Sequence, residues 1–271
     1  MKTFVTTGYE IFTDKIKNPR GVRFVMLTDL HGIVFGEENS LLLEEIDRLQ
    51  PDGVLITGDM IVRSDLSSLK PAQTLVKQIV NKYKVYYSLG NHEYKLYEGG
   101  SFQREYLEYE ECLGQSGVCF LHNEKAEFTI GKDRFTITGL EIPLIYYHKP
   151  NSPKLTLEKM EEFIGRPDPG NINILLAHNP KYGKTYLEWG AQLILSGHYH
   201  GGVVRLGRHI GRTSPQYLLF PPFCCGDFHK GDSHMLVSAG LGEHTIPVRI
   251  HNPRELLVID MKPLEKDGGC V

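Results

Sequence analysis

The sequence predicts a mixed α/β protein, and three observations predict it: short apolar runs ending in Gly-rich or polar turns, helical periodicity between the first of those runs, and a hairpin pattern near mid-chain. The runs are Phe24-Val25-Met26-Leu27, Val54-Leu55-Ile56, Val85-Tyr86-Tyr87, Ile174-Leu175-Leu176 and Leu193-Ile194-Leu195. Continuous apolar runs of this length read as buried strands. Between the first two, Leu42, Ile46 and Leu49 have the spacing of one helical face, closed by Pro51. Between the second and third, Leu75, Val76, Ile79, Val80 and Tyr83 repeat that pattern. The first half is thus strand-helix-strand-helix-strand, an order that predicts parallel pairing.

Further along, residues 102–113 read as a helix. Residues 127–130 and 134–138 flank Gly131-Lys132-Asp133 and read as a hairpin. Helices are expected over 157–164 and 181–189, the second stopped by Gly190. Residues 235–238 and 256–259 read as strands. Helices are therefore expected in the first half and hairpins in the second. No repeat, linker or low-complexity segment divides the chain, so one domain over 1–271 is expected.

Composition narrows the function classes. The chain has 271 residues, 41% hydrophobic and 23% charged, and a mean hydropathy of -0.26, all ordinary for a folded globular protein. With Lys+Arg at 30 and Asp+Glu at 33, the net charge is -3, and no general basic field recruits nucleic acid or anionic membrane. A polyanionic substrate then needs a local positive feature, which bound metal ions supply. The cysteines Cys112, Cys119, Cys224, Cys225 and Cys270 are odd in number and form no CxxC pair. That argues against a disulfide framework or a zinc knot and for reduced thiols. The first residues lack the basic start and apolar run of a signal peptide, and no stretch approaches the roughly 20 apolar residues of a membrane span. A cytoplasmic location is expected.

Each of the five runs ends in residues of one chemical kind: Asp29-Leu30-His31, Gly58-Asp59, Gly90-Asn91-His92, Ala177-His178-Asn179 and Gly197-His198-Tyr199-His200. In an α/β sheet the ends of parallel strands open into a common crevice, where residues distant in sequence converge. Asp29 with His31, and His198 with His200, stand at i, i+2, which on an extended backbone faces both side chains the same way. Singly, each has a plain structural explanation. Asp59 serves as a turn residue or cap, Asn91 as a turn former, and His178 as a hydrogen-bonded core histidine. Turn chemistry does not explain five strand ends that all finish in ligand-type residues, and together they read as a metal site. Mixed oxygen and imidazole donors suit manganese, iron or zinc better than calcium. Seven candidate ligands exceed the three or four that one catalytic zinc takes from protein, so two divalent ions are expected.

In this order the motifs resemble the calcineurin-like metallophosphoesterase superfamily, over roughly residues 24–260. The tail, residues 237–242 followed by Pro247-Val248-Arg249, resembles its small bacterial phosphodiesterase-like branch. The resemblance implies two mixed β-sheets packed as a sandwich flanked by helices, with the site at the strand ends. It further implies that Asp29, His31 and His200 bind one ion, that Asn91, His178 and His198 bind the other, and that Asp59 bridges them. His92 would lie near the leaving group, with Glu93 either orienting it or serving the helix dipole. Two ions about 3.5–4 Å apart bind phosphoryl oxygens and acidify a bridging water for in-line attack on a phosphodiester or phosphomonoester. The expected partner is a small phosphate ester rather than a long nucleic acid.

Residues 216–225, an apolar stretch after the last motif, read as a packing loop or as a lid over the substrate. Three other functions compete. A non-catalytic metal-binding scaffold on the same fold, as in the retromer subunit that resembles these enzymes, would be marked by lost ligands, and none is lost here. The acidic balance and lack of a Lys/Arg run count against a nuclease. Cleavage of the pyrophosphate in a nucleotide-linked lipid precursor, as in some relatives, is the third.

Overall fold

Successive side chains on a strand point to opposite faces, and in the central strands of this chain both faces are apolar, so those strands have to be covered twice. The computed structural model of the chain describes residues 2–148, 151–205, 207, 209–211, 219–243 and 248–264. Its strands are β1 (Val5–Thr13), β2 (Val22–Leu27), β3 (Gly53–Ile56), β4 (Val85–Tyr87), β5 (Cys119–Phe120), β6 (Lys125–Ile130), β7 (Asp133–Leu140), β8 (Ile172–Ala177), β9 (Leu193–Ser196), β10 (Gly226–Lys230), β11 (Ser233–Val237) and β12 (Glu255–Pro263). The helices are α1 (Ser40–Leu49), α2 (Leu69–Val80), α3 (Asn91–Glu98), α4 (Gln103–Gln115), α5 (Leu157–Ile164) and α6 (Gly183–Trp189).

One sheet has the order β1-β12-β2-β3-β4-β5 and the other β10-β11-β9-β8-β7-β6. Both are mixed. β2 through β5 run parallel, while β12 is antiparallel to β2 and parallel to β1. In the second sheet β7, β8, β9 and β11 run parallel, with β6 and β10 antiparallel at its edges. Phe24, Met26 and Leu55 of the first sheet meet Phe135, Ile174, Leu176 and Leu195 of the second in one buried core. Val25, Leu27, Val54 and Ile56 face the other way, onto Leu42 and Ile46 of α1, Leu75, Val76 and Ile79 of α2, and Leu113 of α4. Leu175, Ile194 and Val237 likewise pack against Met160 and Ile164 of α5 and Tyr186 of α6. The result is helices, sheet, sheet, helices, with an apolar layer between each pair.

The expected sandwich is what forms, and its first half pairs in parallel as the alternating elements require. The second half differs from expectation. Two hairpins are present, β6–β7 and β10–β11, but parallel strands dominate between them. The crossovers α5 and α6 were both expected, but their helical signal does not say which strands pair. Four elements were not anticipated. β5 is only two residues long, and β1 over its first half and β10 past its first residue are exposed or half-buried, so none of the three carries an apolar run. α3 opens on the polar residues Asn91, His92 and Glu93.

Parallel pairing places the C-terminal ends of β2, β3, β4, β8 and β9 at one end of the sandwich, where all five motifs emerge. His122, just after β5, ties the two sheets together there. Its Nε2 lies 2.8 Å from Glu110 of α4, and its Nδ1 lies 3.1 Å from Glu141, just after β7. Its ring stacks on Tyr97 at 4.7 Å. Burial opposes the imidazolium, but hydrogen bonds to Glu110 and Glu141 outweigh it and hold the group up at about 10, against an ordinary 6.5. A raised folded-state value stabilises the fold fully below about pH 6.5, and that contribution is lost as pH rises through about 10. The difference in urea midpoint between the wild type and His122→Gln is therefore expected to be largest near pH 6 and to vanish above about pH 10. A pH-independent difference would assign His122 to stacking alone.

Candidate metal centre

Tight turns, rather than extended strands, carry the site. Asp29, His31, Asp59, His198 and His200 all have left-handed backbones, with φ of 51°, 49°, 53°, 66° and 48°. Asp and His tolerate this region better than most residues. The expected pleat alternation of the i, i+2 pairs is replaced by an alternation around the turn, in which Leu30 and Tyr199 are buried to 0% exposure between their polar neighbours. The consequence differs for the two pairs. Asp29 and His31 join one group, whereas His198 and His200 part into two.

Gly58 makes the close approach of two turns possible. Its φ is 86°, and a Cβ there would stand 1.9 Å from the Gly90 nitrogen. Gly90 is equally tight, because its Cβ would meet Asp59 Oδ1 at 2.2 Å. The motif after β3 and the motif after β4 are thus pressed together. Glu93 holds them there. Its fully buried carboxylate accepts from the amides of Asp59 (2.8 Å), Met60 (2.7 Å), Ile61 (3.3 Å) and Gly90 (3.2 Å), and from Tyr87 Oη (3.0 Å). Burial and the Asp59 charge push this carboxyl up to about 7, against the pull of those donors. Glu93 therefore neither orients His92 nor serves only the helix dipole; it fixes the loop that carries Asp59.

Six of the seven expected ligands form two adjoining groups, Asp29–His31–His200 and Asp59–His178–His198, with donor atoms in each within 4.8 Å of one another. In the first, His31 Nε2 and His200 Nε2 are 3.2 Å apart, and Asp29 Oδ1 is 3.5 Å from His200 Nε2 and 4.0 Å from His31 Nε2. In the second, His178 Nε2 is 3.1 Å from Asp59 Oδ2. The groups touch, since Asp29 Oδ1 is also 3.9 Å from His178 Nε2. Donors bound at about 2.1 Å to one ion stand roughly 3–3.5 Å from each other, so these spacings match a shared cation to within about half an ångström.

The nitrogen chemistry fits as well. His178 Nδ1 lies 2.6 Å from the Thr57 carbonyl and donates to it, which leaves Nε2 as the ligand atom, oriented by a carbonyl behind the ring. That Nε2 approaches Asp59 Oδ2 to 3.1 Å, while Asn91 Oδ1, the seventh expected ligand, is buried without a partner. Unpartnered buried acceptors of this kind call for a cation or a donor.

The electrostatics have the same cause. Burial pushes Asp29 up to about 7 and His31 down to about 3. Burial also opposes charge on His178, but Asp59 and Asp29 outweigh it and hold that ring up at about 9. Asp59 stays well below the ordinary carboxylate range, because His178, His92 and His31 outweigh its burial.

His92 stands beside both groups and in neither. Its ring centroid is 4.9 Å from that of His31, its amide donates to Asp59 Oδ1 at 2.8 Å, and its Nδ1 accepts from the Arg63 amide at 3.0 Å. Two further neighbours were not among the expected site residues. Tyr147 packs its ring edge-on to His198 at 5.2 Å, and the Arg249 guanidinium donates to Ala239 O at 2.8 Å and to Gly242 O at 2.6 Å, 3.4 Å from His200 Nδ1. The expected lid divides. Residues 216–218 lie outside the described residues, Leu219 and Phe220 are exposed, and Cys224 and Cys225 are buried.

Among the described residues no helix is long and apolar enough to cross a membrane. The family model for calcineurin-like phosphoesterases matches residues 22–202. A zebrafish (Danio rerio) transmembrane protein with metallophosphoesterase domain is 28% identical over 93% of this chain and 56% of its own length. An uncharacterised metallophosphoesterase of Helicobacter pylori is 25% identical over 93% of this chain and 62% of its own length. The chain thus spans little more than half the length of these curated relatives. Among solved structures, a phosphopantetheinyl hydrolase of Mycobacterium tuberculosis aligns over 81% of this chain and 89% of that one, at 12% identity and a TM-score of 0.49, a level at which no activity transfers.

Replacing Glu93 by Gln puts an amide NH2 among five donors. The expected cost is about 1–3 kcal/mol of folding stability, read from urea unfolding. Manganese binding by calorimetry is expected to weaken about 10–100-fold. Lower stability with unchanged binding would make Glu93 a packing element only.

Proposed function

For this chain, which belongs to the calcineurin-like phosphoesterase family, we propose a metal-dependent phosphoric ester hydrolase, a dinuclear enzyme acting on a small phosphodiester or phosphomonoester. The observation that carries this reading is the pair of adjoining donor groups, Asp29–His31–His200 and Asp59–His178–His198, beside the unpartnered Asn91 Oδ1. Asp29, His31 and His200 hold one divalent ion, and Asn91, His178 and His198 hold the second. Asp59, whose Oδ1 accepts from the His92 amide, would serve both ions. Manganese suits this donor set, with iron or zinc as alternatives. Bound there, divalent ions supply Lewis acidity toward phosphoryl oxygens and acidify water toward neutrality.

The chain's own residues supply the rest. Because Nδ1 of His92 accepts from the Arg63 amide, the proton of the neutral ring sits on Nε2. That N–H would donate a hydrogen bond to the departing ester oxygen and stabilise the charge building there as water displaces it at phosphorus. Glu93 keeps Asp59 and the start of α3 from drifting apart, so donor positions are set before substrate arrives.

Elemental analysis of the purified chain is expected to give about two metals per molecule. Hydrolysis of a chromogenic phosphodiester and monoester should then disappear on chelation and return with manganese. Asp59→Asn is expected to remove most activity while sparing the fold, and activity near wild type would sink the shared-ligand assignment. His92→Ala should lower turnover by about 10²–10⁴ with metal content unchanged. Loss of metal in that variant would instead make His92 a ligand.

A further inference from the structure

Cys224 and Cys225 are consecutive, both are 0% exposed, and they form a buried cluster with Tyr199, the residue between His198 and His200. Packing leaves no slack, since a Cβ on Gly211 would stand 2.3 Å from Cys224 Sγ and 2.4 Å from the Gly201 carbonyl. The backbone on either side is left-handed, with φ of 55° at Phe223 and 93° at Gly226. Contact with Cys224 lowers Cys225 from its ordinary value, the direction that favours a nucleophilic thiolate.

Neighbouring Cα atoms are about 3.8 Å apart, short of the 4.4–6.8 Å usual across a disulfide, so a bond between these two sulfurs closes only if the backbone moves. Here the backbone that moves is packed against the turn carrying two histidines of the metal centre. A small change at the sulfurs therefore reaches the ligands through Tyr199.

We propose that Cys224 and Cys225 form a modification site, a dithiol that a peroxide closes to a vicinal disulfide, displacing the turn that holds His198 and His200. The Cys225 thiolate attacks one peroxide oxygen, the O–O bond breaks, and a sulfenic acid and hydroxide form. Cys224 sulfur then attacks the sulfenic sulfur, the S–O bond breaks, and its thiol proton leaves with the oxygen as water. Two thiols and one hydrogen peroxide give one disulfide and two waters, and a thiol reductant reverses the change. The effect on metal rests on the reading of His198 and His200 as ligands, whereas the disulfide itself does not.

The test uses the whole metal-free chain treated with hydrogen peroxide, followed by alkylation and peptide mass mapping without reductant. The peptide containing Cys224 and Cys225 is expected to be lighter by two hydrogens, to resist alkylation, and to regain both thiols with dithiothreitol. Manganese binding to the oxidised chain is expected to be about 10-fold weaker or more, and to recover on reduction. Cys224→Ser and Cys225→Ser should lose both responses. Sulfinic or sulfonic acid at these positions, or weakened binding that persists in folded Cys225→Ser, overturns the proposal. A disulfide that leaves manganese binding unchanged overturns the coupling to the histidine turn. Should the serine variants not fold, the reversible mass change in the wild type decides. A chain that binds no manganese before oxidation refutes the metal reading instead, and the mass map still decides the disulfide.

Discussion

A carboxylate with no exposure has to be met by donors, and Asp29 meets that demand with groups from the opposite sheet. The His198 amide donates to both of its oxygens, at 3.1 and 3.0 Å, and Thr28 Oγ1 stands 3.1 Å from Oδ2. Its own carbonyl accepts from the Gly242 amide, beyond β11. Close by, the Thr57 carbonyl takes His178 Nδ1. The apolar layer between the sheets is large but non-directional, so it holds them together without fixing how one slides over the other. These few polar contacts fix it. Several donor distances in the candidate metal centre depend on that register, because each group draws residues from both sheets.

The same end of the molecule stores strain. Five non-glycine residues of the site hold left-handed backbones, at a cost of order 1–3 kcal/mol each where nothing compensates. Two carboxylates and four imidazoles are also brought together in a buried space. A charge set of this kind is poorly matched without a cation, which is why burial drives Asp29 up and His31 down while Asp59 stays ionised. Glu93, with five donors around its carboxylate, and the three apolar layers beneath supply the rigidity that keeps such an arrangement in place. Strain here is local, and the stability that tolerates it is not.

Much of the fold was legible because strand and helix periods are local properties. Leu42, Ile46 and Leu49 are the residues that α1 buries, and Leu157–Ile164 is helical over the expected span. β1 was illegible, because its pairing with β12 joins residues 250 apart and leaves no apolar run to read. The parallel pairing of the second half was not read although both of its crossover helices were expected, because strand direction depends on which strands pair, and that is set between distant segments. In the site, residue types at the strand ends were legible, but the face each would present was not. An extended backbone had been the natural assumption for Asp29 and His31, and left-handed turns took its place.

By itself the sequence determined which chemistry is available and where along the chain it stands, because donor type and proximity to a strand end are covalent facts. Tertiary structure gathers six of the candidate ligands into two groups, with His198 beside Asp59 and His200 beside Asp29 although only Tyr199 separates them. It also decided that Glu93 clamps two loops and that Cys224 and Cys225 lie under the histidine turn. Those outcomes depend on distances between segments up to 169 residues apart, set by sheet register and by the absence of a Cβ at Gly58 and Gly90.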